Sequence, residues 1–149
     1  MRLPGDIVGP HLEARLRRGT VIRFELEKLG DPTREGQTRM KFGVVVNATP
    51  GADDILLLLT TSQMEAYEDG RWQGDILRVD TGRHPFFVKE TIIVLRQIES
   101  VPMEKLKRMA EGGKLTVEGE LGKDELQKIN EILRASKLIP PRILKQVLV

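Results

Sequence analysis

Two apolar stretches of this chain end in side chains that can donate or accept protons. Asn47 follows the stretch FGVVV, and a basic pair, Arg39 and Lys41, stands just before it. The stretch ILLLL is followed at once by a polar cluster, Thr60, Thr61, Ser62 and Gln63. Cations, hydroxyls and amides of this kind can move protons and stabilise negative charge. Because buried strands stop where polar residues begin, such chemistry belongs at the strand ends.

The elements that must position these side chains are predicted from apolar patterns. Runs of Val, Ile, Leu and Thr predict strands over residues 19–24, 42–47, 55–63, 76–79 and 90–101. Helical spacing of apolar residues predicts helices over 102–111 and 123–137, which end at a Gly pair and before Pro140. Strands followed by helices favour an α+β, mainly β fold, built as a small, strongly bent antiparallel barrel with a C-terminal helix.

Composition narrows the class of protein and of site. A chain of 149 residues predicts one domain, and a net charge of +2 is too small to identify a nucleic-acid binder. The absence of cysteine excludes disulfides, thiolate nucleophiles and cysteine-ligated metals. The histidines, His11 and His84, lack metal-ligand spacing, and His84 is predicted to be a loop residue. Without a long apolar stretch, a soluble cytoplasmic protein, away from membranes, is expected.

The chain is predicted to have three parts. Residues 1–18 are expected to form an N-terminal basic arm or short helix, and residues 140–149 a C-terminal tail whose apolar end packs on the domain or on a partner. Residues 19–139 are expected to form the barrel domain with its C-terminal helix. Between the first two strands, residues 28–38 are rich in turn-forming types and predict a mobile surface loop.

The order of these segments resembles the PemK/MazF family of plasmid-maintenance and growth-inhibitor toxins over about residues 17–139. The resemblance rests on GTVIRF, on a basic residue before FGVVVN, on TTSQ at a strand end, and on ETIIVLRQIESVPMEKL followed by a helix. It implies an SH3-like barrel with a C-terminal helix. It also implies a type II toxin of a toxin–antitoxin system: a homodimeric, metal-independent endoribonuclease that cuts single-stranded RNA and is restrained by a small antitoxin protein.

The resemblance also assigns roles to the polar strand ends. Thr61 matches the family Thr, with Ser62 beside it, and either Arg39 or Lys41 stands where the family Arg would be. Arg39 is expected to stabilise the phosphate and to transfer a proton, because guanidinium matches phosphate in a bidentate way. Thr61 and Ser62 would orient the phosphate or the 2′-hydroxyl. The residues expected to bind RNA are Lys28, Arg34, Lys41, Gln63, Arg71, Trp72 and Arg96. No metal or other cofactor is expected.

Each of these features also has a structural interpretation. The hydroxyls can satisfy backbone groups where a strand meets a turn, and Arg39 with Lys41 can protect an exposed sheet edge. Trp72 can cover the barrel, residues 28–38 can be a simple hairpin connection, and Arg96, within an apolar strand, must reach a rim or pair with an acid.

A second hypothesis is therefore a catalytically inactive PemK/MazF-like barrel that binds RNA or a protein tail. It is motivated by RMKFG, where the family usually has Arg-Pro, and by a basic residue at position 96, where many members carry an acid. A third is a regulatory or structural domain that docks through its arm and tail.

Overall fold

The structure is a computed structural model, and it describes residues 12, 14–26, 39–48, 52–62, 74–80, 82–87, 89–137 and 139–148, with the backbone alone at residues 26, 39, 40 and 97. Within these residues the chain forms one antiparallel sheet and helices on both of its faces. The strands are β1 (Thr20–Leu26), β2 (Arg39–Val45), β3 (Asp54–Thr61), β4 (Ile76–Val79), β5 (Thr91–Pro102) and β6 (Leu115–Glu120). The helices are α1 (Met103–Glu111), α2 (Lys123–Ala135) and α3 (Pro141–Val147). The sheet is six-stranded, in the order β4-β5-β3-β2-β1-β6.

The central strands are buried on both faces. In β3, Leu56 and Leu58 belong to one hydrophobic cluster, whereas Ile55 and Leu57 belong to another. Because successive side chains of a strand point to opposite faces, an unbroken apolar run requires cover on both. The cover on one face, here called the α2 face, comes from Ile129, Leu133, Ile139 and Val147. The cover on the other, the α1 face, comes from Leu12, Leu16, Met103 and Leu106.

The α+β, mainly β class predicted from the sequence is confirmed. The five predicted strands and the two predicted helices are present, with ends shifted by a few residues. β6 was not predicted, because its sequence LTVEGE has few apolar residues and contains a Gly, although its burial alternates as in a half-exposed strand. It is held by a long-range antiparallel ladder with β1, which includes an irregularity between Val21 and Ile22. Among the residues that the structure describes, no helix has the length and apolar character needed to cross a membrane.

Both terminal segments contribute to the core. In the N-terminal segment, Leu12 and Ala14 are helical, and the Leu16 N–H donates a hydrogen bond to the Leu12 carbonyl at 3.0 Å. The segment expected as a C-terminal tail contains α3, whose Val147 is fully buried against the α2 face. The apolar end of this segment thus packs on the domain, which is one of the two alternatives, the domain or a partner, that the sequence left open.

Arg18 joins these segments. Its guanidinium donates hydrogen bonds to the Val46 carbonyl at 2.6 Å, to the Val147 carbonyl and to Asn130 Oδ1. Burial lowers the pKa of Arg18. The carbonyls at the end of β2 and at the end of α3 therefore share one half-buried cation, which holds α3 beside the sheet.

Candidate functional site

The start of β2 and the end of β3 lie at the same end of the sheet, since the two strands are antiparallel neighbours. Gly43 pairs with Leu59, and continuing this register by two residues sets Lys41 opposite Thr61. The hydroxyl of Thr60 donates a hydrogen bond to the Phe42 carbonyl at 3.2 Å, so the strands remain adjacent in this region. The sheet therefore sets one basic and one hydroxyl position at the same end of two neighbouring strands.

Lys41 and Thr61 also share a face. Lys41 lies directly opposite Phe24 of β1, and Phe24 belongs to the cluster of the α1 face. Thr61 lies two residues after Leu59, which packs against the same cluster. Because paired residues and residues two apart in a strand share a face, both side chains belong to the α1 face. Both are half-buried, and an ammonium beside a hydroxyl suits the binding of an oxyanion.

Two other polar residues of these strand ends have structural roles. Thr60, 4% exposed, uses its hydroxyl on a backbone carbonyl. Asn47 closes the connection between β2 and β3: its Nδ2 donates to the Asp54 carbonyl at 3.0 Å, and its Oδ1 accepts from the Leu56 N–H at 2.8 Å. Ser62 follows β3 and is exposed. The structural interpretation of the hydroxyls therefore holds for Thr60.

Arg96 is part of an ion pair. Its Nε and Nη2 lie 3.1 Å and 2.8 Å from the same oxygen, Oδ2 of Asp75. The backbone of Asp75 is also held by β5, because its carbonyl accepts from the Leu95 N–H at 2.8 Å. Of the two alternatives predicted for Arg96, a position at a rim or an acidic partner, the structure shows an acidic partner, and the expected contact of Arg96 with RNA stays a prediction.

The other residues predicted for the site lie largely outside the described part of the chain. Arg39 is placed by its backbone alone, as the first residue of β2 and opposite Leu26 of β1. The remaining residues predicted to bind RNA are outside the described residues altogether; they are Lys28, Arg34, Gln63, Arg71 and Trp72. Their roles stay predictions.

A second polar cluster surrounds the start of α2. Glu125, whose side chain is 6% exposed, places Oε1 2.7 Å from His84 Nε2 and accepts the Gly122 N–H through the same oxygen at 2.8 Å. Arg83 places its Nε 3.6 Å from Glu125 Oε2 and hydrogen-bonds Asp124. A carboxylate oxygen only accepts, so a hydrogen bond in this contact requires a proton on His84 Nε2.

Sequence reasoning missed this cluster because its halves are 41 residues apart. The Glu at the third position of α2 does predict a cap for the start of the helix, yet no local pattern names His84 as its partner. The imidazole stacks on Phe86 at a centroid distance of 4.9 Å. These contacts fasten the segment before β5 to α2, which is a structural role for a histidine predicted to be a loop residue.

Contacts within the same cluster shift the pKa of Asp124. Burial raises the pKa of its carboxyl, but the hydrogen bond from Arg83, the positive charge of Arg83 and hydrogen bonds from the backbone N–H groups of Glu125 and Asp124 together outweigh it, so the pKa of Asp124 is lowered overall. Across the described residues, no group of three acidic or histidine side chains is arranged to hold a metal ion.

Comparison with protein-family models and with curated proteins found no match for this chain.

Proposed function

We propose that the chain is a metal-independent endoribonuclease of the PemK/MazF type, the toxin of a type II toxin–antitoxin system, acting on single-stranded RNA. In this proposal the antiparallel sheet is the SH3-like barrel of that family, the active form is a homodimer, and a small antitoxin restrains it. The observation that supports it is that Lys41 and Thr61 lie opposite each other on the same face of the sheet. This placement follows from the ladders of β2 with β1 and β3. Family members carry a cation and a hydroxyl at these strand ends.

The proposed reaction is an internal transesterification. The 2′ oxygen of the ribose forms a bond to the neighbouring phosphorus, and the bond from phosphorus to the 5′ oxygen breaks. The proton of the 2′-hydroxyl passes to solvent water, and Arg39 or water returns a proton to the 5′ oxygen, which leaves as a hydroxyl. The products are a 2′,3′-cyclic phosphate and a 5′-hydroxyl end. Lys41 stabilises the charge on the non-bridging oxygens, and the Thr61 hydroxyl donates a hydrogen bond to one of them.

The register favours Lys41 over Arg39 as the phosphate-binding cation. Continued from Gly43 and Leu59, it sets Lys41 opposite Thr61, whereas Arg39 lies two residues earlier, at the start of β2. Arg39 then serves the next part of the RNA backbone, or it transfers a proton, which is one of the two roles that the sequence analysis gave it. The two cations are therefore expected to affect cleavage unequally.

The test is cleavage of a long single-stranded RNA by the purified chain in EDTA. We expect products with 2′,3′-cyclic phosphate ends, and a rate lowered about 100-fold or more in both Lys41→Ala and Thr61→Ala, the loss typical of removing one stabilising donor. Arg39→Ala is expected to lower the rate less. Thermal unfolding of each variant shows whether its fold is intact.

The matched control is Lys145→Ala, which removes an exposed cation on α3. It should cleave at the wild-type rate. Intact RNA across diverse sequences would contradict the proposal, as would cleavage that survives both Lys41→Ala and Thr61→Ala.

The second candidate is a catalytically inactive barrel of the same type that binds RNA. The contact between Arg96 and Asp75 favours it, because a cation expected to bind RNA already has an acidic partner. In that case RNA affinity should fall steeply with salt concentration and no cleavage should occur in any buffer. The salt titration and the cleavage assay together separate the two candidates.

A further inference from the structure

A groove opens between the sheet and α1, on the face that carries Lys41 and Thr61. Its volume is about 170 Å³. Its apolar walls are formed by Phe24, Leu57, Leu59, Val101, Leu106 and Met109. Its charged lining is formed by Glu25, Glu99, Lys105 and Lys114. The volume is below the range common for sites of drug-sized ligands, so the groove suits one small ring system or one side chain.

Gly43 determines the shape of one wall. It lies between Ile22 of β1 and Leu59 of β3 in the two ladders. A Cβ atom at this position would lie 3.1 Å from Cε1 of Phe24, which is tighter than ordinary van der Waals contact. The absence of a side chain therefore lets the Phe24 ring pack over the backbone of β2, where it forms part of the groove.

Two residues that line the groove neighbour the candidate site in the sheet. Phe24, which lines it, is the cross-strand partner of Lys41, and such paired side chains lie side by side. Leu59, which also lines it, precedes Thr61 by two residues on the same face of β3. An RNA whose phosphate lies at Lys41 and Thr61 thus has an adjacent nucleotide within reach of the apolar walls.

We infer that the groove binds a single nucleobase of the RNA, next to the phosphodiester held by Lys41 and Thr61. The inference rests on the proposed function for its position and deepens it by naming the groove as the source of base preference. A base is flat and apolar on its faces, which suits Phe24, Leu59 and Met109. Its uncharged edge carries N–H donors and ring acceptors, which are complementary to carboxylates and ammonium groups respectively.

The charges of the lining favour a base over other occupants. Two carboxylates and two ammonium groups give the lining no net charge, so neither a phosphate nor a cation gains from entering. Glu25 and Glu99 can accept from the amino groups of a base, while Lys105 and Lys114 can donate to its carbonyl oxygens.

The experiment uses the full chain with 13C-labelled methionine methyl groups. Met109 lines the groove. Met103 lies on the same helix but is buried in the core of the protein, and its signal serves as the internal reference. The Met109 signal is assigned with Met109→Leu. Adenosine, cytidine, guanosine and uridine are titrated separately, because nucleosides lack phosphate and report on the groove alone. We expect the Met109 signal to shift saturably, with the preferred nucleoside binding about tenfold or more tightly than the weakest.

Two variants test whether the shift of the Met109 signal arises from binding in the groove. Leu59→Trp fills the groove and should abolish the shift, whereas Gln146→Trp adds the same side chain at an exposed position of α3 and should retain it. Failure of all four nucleosides to shift Met109 would overturn the inference. So would equal affinity for an aliphatic alcohol of similar size, which identifies a nonspecific apolar pocket. A shift that appears with protein concentration alone identifies a second copy as the occupant, and overturns it too.

The inference and the proposed function can fail separately. If the wild-type chain cleaves RNA in EDTA and Leu59→Trp leaves its base preference at the cleavage site unchanged, the groove does not bind a base but the function stands. If nucleosides shift Met109 in a base-dependent manner and no RNA is cleaved, the groove binds a base but the nuclease proposal is wrong.

Discussion

The two faces of the sheet are covered differently, although the same strands build both. The α2 face is covered by a helix of 13 residues and by α3, which Arg18 fastens through three hydrogen bonds. The α1 face is covered by a helix of 9 residues, of which Met103 and Leu106 are buried, and by Leu12 and Leu16. The shorter cover leaves a groove beside Phe24.

This difference indicates a division of roles between the faces. On the α2 face, the buried Thr60 hydroxyl is bound to the Phe42 carbonyl. On the α1 face, Lys41 lies opposite Phe24, and Phe24 lines an open groove. A closely packed face contributes mainly to stability, whereas a face with an apolar groove near polar groups suits a ligand. Substitutions on the two faces should therefore have different consequences.

The largest expected effect comes from truncating neighbouring leucines of β3 that face opposite sides. Leu58→Ala removes a fully buried side chain from the α2 face and should lower the free energy of unfolding by about 3–4 kcal/mol, since the vacated space cannot collapse. Leu59→Ala removes a partly buried side chain at an existing groove and should cost about 1 kcal/mol. Urea unfolding followed by circular dichroism measures both. Equal losses would mean that the groove closes in solution.

Substitution of Arg18 should have the next largest effect. Arg18→Met keeps much of the apolar stem but deprives the Val46 and Val147 carbonyls of their donor, and we expect a loss of about 2–3 kcal/mol. Arg17→Met, at an exposed neighbouring position, is the matched control and should change stability by less than about 0.5 kcal/mol. Hydrogen exchange should also become faster in α3 alone. Unchanged protection of α3 would show that its apolar contacts suffice to hold it.

The sequence predicted the elements better than the contacts between them. Apolar runs such as ILLLL indicate a strand because burial on both faces selects continuous apolar residues, and the meeting of positions near 41 and 61 follows from two antiparallel strand ends. The sequence did not distinguish the role of Thr60 from that of Thr61, because each role depends on which face of the sheet the residue occupies. Arg18 could not be placed either, since its partner Val147 lies 129 residues away and only packing brings them together.

The His84 and Glu125 pair should have a smaller effect. Glu125→Gln retains an oxygen that can accept the Gly122 N–H, but it removes the charge that attracts Arg83 and His84. We expect a loss of about 1–2 kcal/mol in urea unfolding at neutral pH. A double-mutant cycle with His84→Asn isolates the contact, because the two single losses should exceed the loss in the double variant. Strict additivity would show that Glu125 acts through the helix cap and not through His84.

The smallest expected effect concerns Asp124, whose side chain is 55% exposed. Because the pKa of Asp124 is lowered in the folded protein by Arg83 despite the opposing effect of burial, its contribution to stability is present above the ordinary carboxyl pKa and is lost as pH falls through the folded value. Asp124→Asn should therefore unfold at slightly lower urea than wild type at neutral pH, and the two midpoints should converge in acid. Glu131→Gln, exposed on the same helix, controls for the removal of an acid. Added salt should shrink the difference at neutral pH, since an exposed pair is screened. A gap between the midpoints that stays constant into acid would assign the loss to the backbone geometry at the start of α2, because a charge interaction must disappear once the carboxyl is protonated.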